Sequence, residues 1–577
     1  MIKLRRTQMN WKQFTFKAIF TQTVLALMVA TPNVATANPI NVQSTNYTIP
    51  NGAYFVAPDG RDTNSGRSAD SPWTVAKALS AAPDGATIVF RGGQYRDGQL
   101  LVRKKFTLQA YPNEKPLFKG SDVVTGWVGE GGIWRKDGWN HSFPQNISEK
   151  FIDPKYPLAG RRDMVYVNGT ALKQVGSKAE VSEGRFYVDS VNKRLYIGDN
   201  PSDKTVEATT LTRAFTLWRS QHSNPTEAVI RGLGFAHYAD DAVKVGAPRV
   251  TLENNTFAWN GQRGVAIYSP DIVVRGNTFK YNGRQGLFSV AGHNLLLENN
   301  IFNNNNIEHF NKNWDAAGVK FIWTDGAVVR GNLVANNHST GIWIDESSTN
   351  TTVVNNVVHN NISNGILFEI SHKAIIASNI AYQNYPAGIM VMNASNARIY
   401  NNTLAKNHAN LIIKETPRNN TKAEQIAEGI TWITRNNIVK NNLLWHSDGP
   451  MFFAPSCELR EPSQLMIPVS NYNAYYRSSP NKNNHVWSLG RQCRERYPSL
   501  STFSSVTGME LNGLEITSTS DPFFVNADTQ DFRLKPASPA HGRGEALPSD
   551  IADAIGVASG VRVNLGAFHS QIDALRQ

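Results

Sequence analysis

Asparagine recurs along the middle of this 577-residue chain at intervals that few folds accommodate. Asn255, Asn277, Asn300, Asn332, Asn356, Asn379 and Asn402 return before a hydrophobic position in steps of 22, 23, 32, 24, 23 and 23 residues. A second marker keeps the same phase: Gly264, Gly286, Gly318, Gly341, Gly365 and Gly388 each precede a short alternating run. No unit carries an apolar period of 3.6 long enough for a helix. Short strands joined by Asn and Gly turns at this period predict a parallel β-helix, one repeat per coil, with coils stacked about 4.8 Å apart. Asn at the same turn of every coil tolerates the left-handed conformation and can bond to its counterpart above and below. Phe257, Phe279 and Phe302 form a matching inward column. A leucine-rich repeat needs a Leu framework that is missing, and a propeller needs about 40 residues per repeat. The expected class is all-β, a right-handed parallel β-helix, handedness being a fold-level expectation.

Departures from the period mark the other parts. The long step between Gly286 and Gly318 predicts an inserted loop over roughly Ile307 to Asp315, and loops inserted into one coil tend to sit on a functional face. Pro417–Arg435 reads as another insertion, and Asn441-Asn442-Leu443-Leu444-Trp445 resumes the repeat. Ser121–Ala214 breaks the period with alternating strands and is expected to be a small β-sandwich-like domain, residues 121–214. Residues 38–120 read as an N-terminal cap with the first coils, including a helix over Val75 to Ala82, because an open solenoid end needs a polar cap. Residues 215–577 hold the main helix, with a tail around Asp521-Pro522-Phe523-Phe524 and Asp531-Phe532-Arg533-Leu534 closing the C-terminal end.

Residues 1–37 read as a secretory signal peptide: Lys3, Arg5, Arg6, Lys12 and Lys17, an apolar run from Ala18 to Ala30, then Ala35-Thr36-Ala37 with cleavage after Ala37. Removing five basic residues takes the formal net charge from +12 to about +7. No later stretch approaches the ~18 apolar residues of a membrane span. The mature protein is expected to be secreted or periplasmic. A basic exported chain suits an acidic polysaccharide or a cell surface better than nucleic acid, although a mildly basic surface without any role is the plain alternative. A charged fraction of 18% with 26 Phe, 18 Tyr and 13 Trp excludes a disordered chain. Two cysteines exclude a disulfide scaffold or a Cys-based zinc cluster, while an oxidising compartment permits one Cys457–Cys493 bridge.

Side chains alternate in and out along a strand, so the glycine register tells which project. The outward column four residues past each glycine reads Tyr268, Val290, Ile322, Asp345, Glu369 and Met392. The column two past reads Ala266, Phe288, Lys320, Trp343, Leu367 and Met390. Two carboxylates therefore lie one coil apart in an apolar column, with Trp343 beside one of them and Lys320 on the coil before. A spacing of about 4.8 Å places the carboxyls roughly 5 Å apart, the separation of a retaining glycosidase. Like charge and partial burial would raise one pKa, as an acid needs, and Lys320 would keep Asp345 ionised, as a nucleophile needs. Adjacent acids also arise on solvent-facing strands by chance, yet directly opposed like charges destabilise a sheet.

Gly341-Ile342-Trp343-Ile344-Asp345 followed by Leu367-Phe368-Glu369-Ile370-Ser371-His372 resembles a motif pair in the β-helix β-xylosidase family of bacterial glycoside hydrolases. That family places an aspartate nucleophile in a leucine-aspartate-tryptophan strand. About one coil later it has a glutamate acid/base and a histidine in a valine-glutamate-valine-asparagine-histidine strand. The resemblance implies Asp345 as nucleophile, Glu369 as acid/base and His372 as a site residue, and the family's small inserted β-sandwich matches Ser121–Ala214. Glu346 departs from the pattern, standing where the family tends to have tryptophan, so it is a second candidate carboxylate and the resemblance does not carry the family's sugar specificity over.

Catalysis is thus expected from Asp345, Glu369, Lys320 and His372, and substrate contact from Trp314, Asp315, Trp323, Trp343 and Glu346, the three tryptophans being candidates for stacking on sugar rings. No cofactor is needed for hydrolysis. A competing constellation is that of a Ca²⁺-dependent pectate-like lyase or uronan epimerase, with Lys320 as base and acidic residues holding Ca²⁺. Asp240 and Asp241 are weak calcium candidates, about four coils from Glu369. A third reading is a glycan-binding or surface β-helix without catalysis, since fold does not imply function.

Overall fold

The computed structural model describes residues 40–144, 147–456, 463–480, 484–487 and 494–568. The signal-peptide segment and both Cys457 and Cys493 lie outside the described residues. Three sheets of 13 strands run the length of the chain and make the faces of one parallel β-helix. Pairing is parallel throughout except where His485–Trp487 meets Glu495–Tyr497 at the C-terminal end of one sheet.

The asparagine period is a bonded ladder. Asn255 donates to Asn277 at 3.0 Å, and the chain continues through Asn300, Asn332, Asn356, Asn379, Asn402 and Asn442 to Asn473, all fully buried. The 40-residue step from Asn402 to Asn442 closes with a 2.9 Å bond, within the 2.9–3.1 Å of the 23-residue steps. A second ladder, absent from the sequence reading, runs through Asn260, Asn282, Asn305, Asn337, Asn361, Asn384 and Asn407. Each amide bonds a carbonyl of the coil below as well, so buried turn backbone is satisfied without water. Inside, Phe235, Phe257, Phe279 and Phe302 stack with ring centroids 5.1, 4.9 and 4.8 Å apart, the spacing of the coils themselves.

Helix α1 (Val75–Ala81) closes the N-terminal end. Thr74 accepts from the Lys77 amide as its N-cap, and Val75, Ala78 and Leu79 face the core. Ser121–Thr209 contributes a four-stranded and a five-stranded sheet around its own core of Val165, Phe186, Leu195 and Ile197. It rests on the coils through a Lys119–Glu207 ion pair and a stack of Tyr166 on His237 with centroids 3.7 Å apart.

The C-terminal end differs from expectation. It is closed by α2 (Leu500–Thr507), whose Leu500 and Phe503 join Trp487 over the core. The tail does not close the end. It folds back along the flank, where α3 (Ser549–Ile555) packs on Val354, Ala377 and Tyr400 and Asn401 binds the carbonyls of Asn564 and Gly566. The tail has no repeat of its own, so nothing in its period says which face it covers.

One sheet carries the candidate residues. Its strands used below are β1 (Phe215–Trp218), β2 (Val243–Gly246), β3 (Arg263–Ile267), β4 (Gln285–Val290), β5 (Ala317–Ile322), β6 (Thr340–Asp345), β7 (Ile366–Glu369) and β8 (Ala387–Met392).

Candidate active site

Register places the side chains. Lys320 lies opposite Trp343 and Ile322 opposite Asp345. Trp343 lies opposite Leu367, and Glu369 opposite Met392. Ile342, Ile344, Ile366 and Phe368 point into the core, so Trp343, Asp345 and Glu369 project from the outer face of the sheet.

On that face the charges are interlocked. Lys320 Nζ is 2.7 Å from Asp345 Oδ2 and donates to the Trp314 carbonyl at 2.9 Å. The same ammonium sits 3.6 Å from the centroid of the Trp343 ring. The indole Nε1–H of Trp343 donates to Glu369 Oε2 at 3.0 Å. Asp345 Oδ1 accepts from the Glu346 amide at 2.7 Å. Glu369 Oε1 is 2.7 Å from the guanidinium of Arg418, whose side chain is 38% exposed. Burial, and then the neighbouring Asp345 charge, raise the Glu369 carboxyl above its ordinary range, opposed by Arg418 and Lys320. The two carboxylates therefore stand in different environments, one with a buried lysine and a backbone donor, the other desolvated.

The turns behind these strands are unusual. Trp323, Glu346, Ile370 and Asn393 follow successive strand ends at φ of 52°, 30°, 38° and 52°. Asn suits this region, but a β-branched Ile at positive φ is strained, and strain held beside ionisable groups is a feature of functional sites. Asn393 organises the inserted segment: its amide donates to the carbonyls of Thr416 and Trp432 at 2.8 and 3.0 Å, and its oxygen accepts from Arg418 at 3.4 Å. That segment contains a short helix, Ala423–Ala427, and is fastened by Ser347, which donates to Gln425 at 2.8 Å and accepts from Trp432 at 3.2 Å.

Between this segment and the turns a cleft of about 590 Å³ opens, lined by His293, Trp323, Asp325, Asn350, His372 and Glu428 among others. Asp345 and Glu369 are not in its lining, but Ser347, two residues past Asp345, is. Trp323 is exposed at its rim with Lys422 Nζ 5.1 Å from its ring. His372 Nδ1 lies 2.9 Å from Ser395 Oγ, and burial followed by Lys373 lowers its pKa, so it is neutral near pH 7.

Several expected contacts are corrected. Trp343 is 3% exposed and covered by Lys320, so it supports the carboxylate and offers no face to a sugar. Asp315 turns inward, where Arg284 binds it and Arg263 lies 3.8 Å away. Burial alone would raise its pKa, yet Arg284, Arg263 and Lys320 outweigh that and hold it low. Asp240 and Asp241 join the same charge chain: Arg213 is 2.8 Å from Asp240, and Arg263 is 3.2 Å from Asp241. Their oxygens face guanidinium groups, an arrangement that repels a cation. Among the described residues no group of three or more His, Cys, Asp or Glu is arranged to hold a metal. The Ile307–Asp315 loop is bridged by Phe310 to Ile152 of the inserted domain, and Trp314 remains exposed beside Lys150. Arg418, Asn393 and Ser347 were missed by sequence reasoning. The Pro417–Arg435 insertion was the signal that could have pointed to Arg418.

A family model described as "Right handed beta helix region" matches residues 220–311 and 245–404. The chain resembles a structure described as "The complex structure of XylC with xylose", with 16% identity, 82% of this chain and 88% of that chain covered, and a TM-score of 0.58. A structure described as "Glycoside hydrolase" matches at 12% identity over 63% of this chain and 94% of that one, TM-score 0.48. Pectate lyase Pel9A matches at 14% identity over 91% and 97%, TM-score 0.43. No curated protein matches the sequence. At such identity the likeness to XylC shows the fold alone, and with the family match it defines a right-handed parallel β-helix. No helix among the described residues is long and apolar enough to cross a membrane.

Proposed function

We propose that the protein is an exported carbohydrate-active enzyme, and specifically a retaining glycoside hydrolase. The observation that carries this reading is the split between two carboxylates one coil apart: Asp345 is paired with Lys320 at 2.7 Å, and Glu369 is desolvated with a raised pKa. A desolvated carboxyl with a raised pKa suits the acid, and a neighbouring carboxylate held by a lysine suits the nucleophile. Asp345 attacks the anomeric carbon and forms a glycosyl-enzyme. Glu369 donates its proton to the leaving oxygen, then withdraws one from the water that resolves the intermediate. Trp343 orients Glu369, and Lys320 holds Asp345. Arg418 must release Glu369 for it to be protonated, and its exposed position on an inserted segment suits that role. Support also comes from the sequence resemblance to β-helix β-xylosidases and from XylC having been solved with xylose.

A lyase or epimerase would use Lys320 as the base. Here Lys320 is buried and its ammonium is already engaged by Asp345, the Trp314 carbonyl and the Trp343 ring. The test is a glycan panel read for new reducing ends and for ultraviolet absorbance of unsaturated uronate, with and without chelator, beside Glu369→Gln. Reducing ends without unsaturation, lost in Glu369→Gln and indifferent to chelator, support hydrolysis. Unsaturated product that chelator removes overturns it in favour of the lyase.

A further inference from the structure

The column that holds Asp345 carries a second cluster farther toward the N-terminus. Trp218 of β1 lies opposite Gly246 of β2. Val245 lies opposite Ile267, so Tyr268 is next in the same line. Trp218 is 45% exposed and Tyr268 36%, with ring centroids 6.3 Å apart. Lys244 stands between them, its Nζ 5.1 Å from each ring centroid. Gly246 is what lets the indole lie down on the sheet: a Cβ there would come within 2.1 to 2.7 Å of three Trp218 ring carbons. The result is an aromatic floor of two rings inclined at 51° to each other, with an ammonium between them, open to solvent.

The floor is connected to the carboxylates. Val290 and Ile322, both half-buried, continue the column from Tyr268 to Asp345. At about 4.8 Å per coil, Tyr268 stands about 14 Å and Trp218 about 24 Å from Asp345 along the axis. Along one side the strip is bordered by the buried charges of Arg263, Arg284 and Asp315. Aromatic faces pack against the C–H faces of sugar rings at little entropic cost, and a few placed polar groups fix orientation through the hydroxyls.

We propose that Trp218, Lys244 and Tyr268 form a distal subsite for a glycan chain lying along the coil axis, which makes the substrate a polysaccharide that spans several sugar units beyond the cleaved bond. The proposal rests on the reading of Asp345 and Glu369 as acting on a glycan. The alternative occupant of this floor is a second copy of the chain.

The test uses the full chain and a Trp218→Ala/Tyr268→Ala variant, both surface changes far from the carboxylates. Binding of the Glu369→Gln form to xylan, polygalacturonate and alginate is measured by affinity electrophoresis with and without the two alanines. Cleavage of the bound polymer is compared with cleavage of the corresponding aryl monoglycoside. The expected result is about a tenfold or greater loss of polymer affinity, corresponding to two stacking contacts, with aryl glycoside turnover unchanged. Polymer binding and cleavage unaffected by the alanines overturn the subsite while leaving the hydrolase reading intact. A change of sedimentation with glycan binding unaltered assigns the floor to contact between copies and also overturns it. Failure of the unaltered chain to bind or cleave any of the polymers while it turns over the aryl glycoside overturns the subsite alone, and failure on the aryl glycoside as well sinks both readings.

Discussion

The indole N–H of Trp343 reaches across one coil and donates to Oε2 of Glu369 at 3.0 Å, while Lys320 covers the same ring from the other side. Trp343 thus links the two carboxylates, since Lys320 is also the ion-pair partner of Asp345. A donor to a carboxylate favours its charged form and fixes its direction. Trp343→Phe keeps the apolar packing and deletes only that donor. It is expected to lower kcat about tenfold with little change in KM, from one lost hydrogen bond to a charged group. The alkaline limb of the pH profile moves upward, which a merely structural loss would not produce.

Glu369→Gln is expected to cut turnover about 10²- to 10⁴-fold on substrates whose leaving group needs a proton. The loss is smaller on activated aryl glycosides. Thermal unfolding across pH gives an independent check. The folded-state pKa lies above the ordinary glutamate value of 4.5, so the folded chain binds more protons between the two values. The stability contributed by the protonated carboxyl is complete below the unfolded value and is lost as pH rises through the folded one. Glutamine stays neutral, so the variant's Tm relative to the parent should improve as pH rises through that window.

Asp345 as nucleophile predicts a covalent intermediate. A 2-fluoroglycoside of the substrate identified in the panel should add its sugar mass to the peptide that contains Asp345. Proton NMR of the first product should show retained anomeric configuration. Labelling of Glu346 would move the nucleophile one residue.

Removing the guanidinium in Arg418→Gln takes away a charge that favours ionised Glu369. The Glu369 pKa rises further, and the alkaline limb of kcat/KM, which reports the free enzyme, shifts to higher pH. Arg418→Lys should restore the profile in part. An unchanged limb would detach Arg418 from the acid.

Asn356 sits at the middle of the first ladder, fully buried, bonded to Asn379 at 2.9 Å and to the Val329 and Val354 carbonyls. Asn356→Ala leaves buried donors and acceptors unpaired at about 1–3 kcal/mol each. A drop in Tm is expected with no change in the pH profile of activity.

How legible was this in the sequence? Coil phase was readable because Asn and Gly mark it, and phase together with strand alternation was enough to put Lys320, Trp343, Asp345 and Glu369 on one face. What a projecting side chain meets was not readable. Trp343 points outward, yet Lys320 closes over it. Asp315 sits at the edge of the predicted loop, but its direction depends on Arg263 and Arg284 from two earlier coils. Arg418 belongs to a stretch without period, so its approach to Glu369 follows from how Asn393 and Ser347 anchor that stretch. The second ladder shares the step of the first and was open to the same search. The tail carries no phase, and its docking along the flank depends on apolar residues such as Ile551 and Ile555 finding Val354 and Tyr400.

The Asn402–Asn442 bond, at 2.9 Å, falls within the 2.9–3.1 Å of bonds between coils that carry no insertion. A coil therefore transmits nothing about its own circumference to its neighbours. Segments of any length can be spliced in at the turns, and the rest of the solenoid keeps its register. Both walls flanking Asp345 and Glu369 are such splices. Exchanging the 307–315 or 417–435 segment should therefore change what reaches the two carboxylates, Arg418 and the Trp314 carbonyl included, without refolding the scaffold that aims them.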